Sequence, residues 1–123
     1  MVIRGPWESL TGHYILLPDH SVQMVDLLTW AMFFEDHDAR RVGEDFVASY
    51  RISTVFLGID HNFFGVRTRG KHVPILFETM IFGPDDDALD LHCRRYATWD
   101  EAVAGHRETV AMVARHVAER KNA

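Results

Sequence analysis

Arg95–His106 reads RYATWDEAVAGH, and the middle of this stretch decides the fold. Thr98-Trp99-Asp100-Glu101 fits a capping box, in which a threonine hydroxyl accepts from the third helical amide while the glutamate reaches back to the cap amide. A strand therefore ends and a helix begins at Trp99. From there Trp99, Val103, His106, Val110, Val113 and Val117 recur at alternating short helical spacings, forming one apolar stripe. Asp100, Arg107, Glu108, Arg115 and Glu119 fall off that stripe, so His106 is expected on the core side. Gly105 costs a helix about 1 kcal/mol relative to Ala. That cost makes sense where the helix must come close to a strand, with Ala102 and Ala104 small for the same purpose.

Outward from this helix, β-branched and aromatic residues concentrate in Val42–Tyr50, Arg51–Ile59, Ile75–Phe82 and Leu91–Ala97, and each suits a pleated, half-buried strand. His13–Leu17 and Ser21–Val25 read as a hairpin turning at Asp19-His20. Asp26 is placed to cap a helix whose Leu27, Trp30, Ala31 and Phe34 lie at helical spacing, ending near the charged stretch Glu35–Arg41. The order is strands, helix, strands, helix, without the long alternation of a parallel fold. It predicts an α+β domain: a single-layer, mainly antiparallel sheet of about four to six strands packed against two helices, the longer one C-terminal.

Composition sets the outer bounds. At 123 residues, 47% hydrophobic and 25% charged, the chain has room for one core, and residues 1–123 are read as a single globular domain. A formal net charge of −5 does not favour attraction to nucleic acid or to an anionic membrane. No apolar run approaches the ~20 residues of a membrane span. The N-terminus lacks the pattern of a secretory signal, so the expected location is the cytoplasm. The lone Cys93 has no partner for an internal disulfide and excludes zinc sites built on several thiolates.

Three polar residues stand where their surroundings do not explain them. Strand alternation puts Glu78 on one face with Leu76, Met80 and Phe82, opposite Phe77, Thr79 and Ile81. An ionised Glu78 there needs a cation such as Arg51, Arg94 or Arg95. His61 follows the apolar face of Val55, Leu57 and Ile59 just past a strand end, with Asp60 beside it to orient the imidazole. His106 completes the set. Each has a structural reading: a core histidine, an ion pair, a turn residue. The chemical alternative is convergence of His61, Glu78 and His106 in one polar pocket, as acid, base or ligand. No HExxH, HxH or CxxC spacing supports a metal, and no metal or cofactor is expected.

Elsewhere, Arg67, Arg69, Lys71 and His72 form a basic cluster in the loop Gly65–His72, a candidate contact for nucleic-acid phosphates. Asp85-Asp86-Asp87 with Asp90 lacks the layout of a calcium loop and reads as a solvated turn, and Asp36-His37-Asp38 as exposed helix-end chemistry. No nucleophile elbow, phosphate loop or dinucleotide glycine motif occurs. Trp7, Trp30, Phe33, Phe34, Phe46, Phe63 and Phe64 exceed what one small core needs, which points to a partner surface.

The blocks ISTVFLGIDHNF (52–63), LFETMIFG (76–83) and RYATWDEAVAGH (95–106) resemble, in this order, a widespread group of small tailed-phage and prophage proteins of unassigned function, notably of actinobacterial hosts. The likeness runs from about Leu27 to Val110. It implies origin rather than chemistry, and places Asp60, His61, Glu78, Thr79, Tyr96, Gly105 and His106 at positions typical of the group. The connection Phe64–Val73 departs from it, being longer and more basic. The resulting expectation is a phage-encoded accessory protein of the host cytoplasm, a non-enzymatic module binding an unidentified host or phage protein. Self-association, as a homodimer through an exposed N-terminal strand, accompanies that expectation. The alternatives are a small enzyme or metal-binding domain using His61, Glu78 and His106, and nucleic-acid contact through the basic loop.

Overall fold

The computed structural model describes residues 12–62, 65 and 67–121. β1 (Tyr14–Leu16) and β2 (Val22–Met24) form the expected hairpin. α1 (Leu27–Phe34) follows, then the one-turn α2 (His37–Arg40), β3 (Arg41–Val47), β4 (Tyr50–Phe56), a small hairpin of β5 (Arg67–Thr68) and β6 (Lys71–His72), β7 (Phe77–Phe82), β8 (Cys93–Tyr96) and α3 (Trp99–Lys121). The main sheet has the order β3-β4-β7-β8 and every pairing in it is antiparallel. This is the α+β arrangement read from the sequence, with the long helix last. Two details differ from that reading: Asp36 caps a short extra helix through Ala39 N, and part of the basic loop pairs as a hairpin.

Local chemistry explains the boundaries. Thr98 Oγ1 accepts from Glu101 N at 3.2 Å and donates to the Glu101 carboxylate at 3.0 Å, so the box closes side chain to side chain. Asp26 caps α1 by accepting from Thr29 N at 2.8 Å. Val47 pairs with Tyr50, leaving Ala48 and Ser49 as the turn, with Ala48 at a φ of 52°.

α3 lies across all four strands on one face. Its buried line is Ala102, Gly105, His106, Thr109 and Val113, while Trp99, Val103, Val110 and Val117 flank it half-buried. The smaller residues point inward because the helix sits close to the sheet: a Cβ on Gly105 would fall 2.2 Å from Tyr96 Oη. Ala104, by contrast, is exposed and serves no such role. β4 and β7 supply the facing rows Ile52/Ile81, Thr54/Thr79 and Phe56/Phe77. The core thus has two apolar halves, one around Ile52, Ile81 and Val113, the other around Phe56, Phe77, Leu76 and Ala102. A threonine row runs between them.

α1 departs from its expected register. Trp30, Phe33 and Phe34 face the protein, with Trp30 Nε1 donating to Gly58 O at 3.0 Å and Phe33 edge-on to Phe56. Leu27 and Ala31, expected inside, are exposed.

Candidate functional site

His106 sits at the centre of the threonine row and is only 7% exposed. Its Nδ1 lies 2.7 Å from Thr54 Oγ1, which lies 2.5 Å from Thr79 Oγ1; Tyr96 Oη donates to Thr79 at 3.1 Å. On the other side Nε2 meets Asp45 Oδ2 at 2.7 Å. Each hydroxyl has one proton to give. With Tyr96 donating to Thr79, the order that satisfies every group has Thr79 donating to Thr54, Thr54 to Nδ1, and Nε2–H to Asp45. Strand alternation builds this line: Thr54 and Thr79 are cross-strand partners, Gly43 is the partner of Thr54, and Asp45 is the next inward position on β3. Gly43 leaves room for the ring, since a Cβ there would come within 3.1 Å of Nε2.

A carboxylate, an imidazole and a hydroxyl in line resemble a hydrolase triad, and the exposure of the two ends decides against it. In a triad the carboxylate is buried and the hydroxyl meets the substrate. Here the Asp45 side chain is 56% exposed and Thr54 is fully buried, with its oxygen already shared with Thr79. The order is inverted. A nucleophile that no substrate reaches performs no displacement, so the line acts as internal hydrogen bonding.

The other two expected members lie elsewhere. Glu78 projects from the opposite face of β7 and pairs with Arg95 Nε at 3.0 Å, so the expectation of a His61, Glu78 and His106 pocket is corrected. The period of two separates them: Thr79 faces the helix, so its neighbour Glu78 faces away. Leu76, expected on that outer face, is fully buried because the strand begins only at Phe77. His61 turns its Nδ1 to Ile59 O at 2.7 Å. Asp60 accepts from the amides of Asn62 and Ile75 and pairs with His72. Burial opposes the charge on Asp60, yet the hydrogen bonds from His72, Ile75 and Asn62 hold its carboxyl below the usual range. Among the five candidates, Tyr96 and His106 share one network.

A second cluster, at the far end of α3, departs from the solvated turn expected of Asp85-Asp86-Asp87, because Asp87 turns inward. Asp87 is 3% exposed; it accepts from Tyr50 Oη at 2.6 Å and Leu89 N at 2.9 Å, pairs with Arg120, and has His116 Nε2 at 3.7 Å. Tyr50 and Leu89 as donors, with Arg120 and His116 nearby, hold its carboxyl below the usual range against the cost of burial. The cluster forms the floor of an open cleft of about 700 Å³ whose rim carries Ser49, Asp85, Asp86 and Lys121. Every Asp87 oxygen is committed, so the floor is a structural tie between α3 and the β7–β8 connection. Among the described residues no three His, Cys, Asp or Glu side chains are grouped to hold a metal ion.

In the basic hairpin, Arg67 donates to Gly70 O at 3.0 Å and His72 is engaged by Asp60. Half of that cluster is thus used internally. Phe46 is 69% exposed on β3, whereas Trp30, Phe33 and Phe34 are packed; Trp7, Phe63 and Phe64 lie outside the described residues. Among the described residues the exposed large apolar side chains are mostly aliphatic, and Leu27 (62%), Leu28 (72%) and Met32 (68%) lie on one helix. No helix among the described residues is long and apolar enough to cross a membrane. The chain matches no protein-family model, no curated protein and no solved structure.

Proposed function

We propose that this chain is a small phage-encoded accessory protein of the host cytoplasm that works as a binding module, docking a host or phage protein through α1. The observation that carries the reading is a helix apolar on both sides. One side is used by the core, and Leu27, Leu28 and Met32 face water on the other. A helix apolar all round is ordinarily buried on all sides, and contiguous exposed apolar surface marks interaction sites. The inverted order of Asp45, His106 and Thr54 supports a module without chemistry of its own. The resemblance of the three core blocks to phage proteins supports the origin. The test is affinity capture from an actinobacterial lysate by the tagged chain and by a Leu28→Ser/Met32→Ser variant. A specific protein retained by the first and lost by the second is expected; identical retention overturns the reading.

A further inference from the structure

Resting on that reading, we infer that the occupant of α1 is a basic amphipathic segment of a partner protein, whose apolar side chains cover Leu28 and Met32 between flanking lysines or arginines.

The distribution of charge carries the argument. From Pro18 to Asp38 the chain has five carboxylates and no lysine or arginine, a charge equal to the whole net −5. Asp26 stands at the N-terminal end of α1, and Glu35 and Asp36 at its C-terminal end. Eight residues at 1.5 Å each put these ends roughly 12 Å apart. Leu28 and Met32, one turn apart, form the ridge between them. Among the described residues, the two arginines that follow α1 are engaged locally, and Asp26, Glu35 and Asp36 remain as the carboxylates at the ends of the ridge. Arg40 lies over the Phe34 ring at 3.7 Å and bonds His37, while Arg41 answers only Asp38. Asp26, bonded by Thr29, and Asp19, bonded by Ser21, are both held below the usual carboxyl range.

An apolar ridge with acid at both ends selects its partner by sign. Anionic lipid and nucleic acid meet like charge. So does a second copy docked isologously, which brings one acidic rim against another. A basic amphipathic helix presents the complement, with cations about eight residues apart on either side of an apolar turn.

The test is a titration of the full chain with two fluorescent synthetic helices of about 18 residues, one of leucine and lysine, the other of leucine and glutamate. The lysine helix is expected to bind, more weakly as salt rises. Leu28→Ser/Met32→Ser should weaken it by about tenfold or more, and Phe46→Ser, an exposed residue on β3, should not. Equal binding of both helices, or equal loss in the Phe46 variant, overturns the inference. So does concentration-dependent assembly of the chain alone that Lys71→Glu abolishes, which would make the β5–β6 hairpin of another copy the occupant. If the lysine helix fails while lysate capture still depends on Leu28 and Met32, only the partner's chemistry is wrong. If both fail, the docking reading falls with it.

Discussion

The two ends of α3 bury polar groups in opposite ways. Near its start, His106 joins a line of uncharged hydroxyls that ends at a single exposed carboxylate; near its end, His116 and Arg120 close on the buried carboxylate of Asp87. The first arrangement depends on direction, because each group gives one proton and takes one, and a missing member strands its neighbours. The second depends on charge, which a change of pH removes. A directional line thus ties together the middle of the core, whereas the charged knot fastens the helix end to a connection beside water.

The largest effect should separate these mechanisms. His106→Ala leaves a void and strands Thr54 and Thr79, so a loss of about 3 kcal/mol is expected in urea unfolding at neutral pH. Stability equal to the parent would break the contrast. Gly105→Ala comes next: Ala improves helix propensity, yet its methyl meets the hydrogen-bonded Tyr96 hydroxyl, and the net should be a loss of about 2 kcal/mol.

Asp87→Asn should lower the melting temperature at neutral pH by less than His106→Ala does, and its effect should vanish in acid. The sign follows from the depressed carboxyl. Its stabilisation is present above the unfolded value of about 3.9 and is lost as pH falls through the lower folded value. Melting curves between neutral pH and strong acid should therefore converge for parent and variant. Asp60, depressed in the same way, keeps some acid sensitivity in both. A difference independent of pH would show that shape rather than charge matters at Asp87. Smaller still, Glu78→Gln breaks a pair whose Arg95 is 45% exposed, and should cost no more than about 1 kcal/mol by the same unfolding measurement. Leu28→Ser/Met32→Ser, on the surface, should shift stability by about 0.5 kcal/mol or less in thermal melts.

Periodicity made the fold legible. The capping box located α3, alternation paired Phe77, Thr79 and Ile81, and the Gly105 cost marked a close approach that Tyr96 fills. Alternation also contained the flaw in the pocket expectation, for the step that faces Thr79 toward the helix turns Glu78 away. His106 meets a carboxylate after all, but it comes from Asp45 on the edge strand, with Gly43 clearing the way; how α3 docks on β3 is long-range information, joining residues 61 positions apart. Asp87 was hidden by its neighbours, since three consecutive aspartates look solvated and nothing local says which one turns inward to Tyr50 and Arg120. The exposure of Leu28 and Met32 was equally invisible, because a helix with apolar residues on every side does not declare which side the core takes.

The division of the interior by the threonine row has a consequence for how the molecule comes apart. Two small oily compartments share β4, β7 and α3 and meet at one imidazole and the phenol of Tyr96, so opening either one strains the bridge that steadies the other. Urea unfolding is then expected as a single transition rather than by halves.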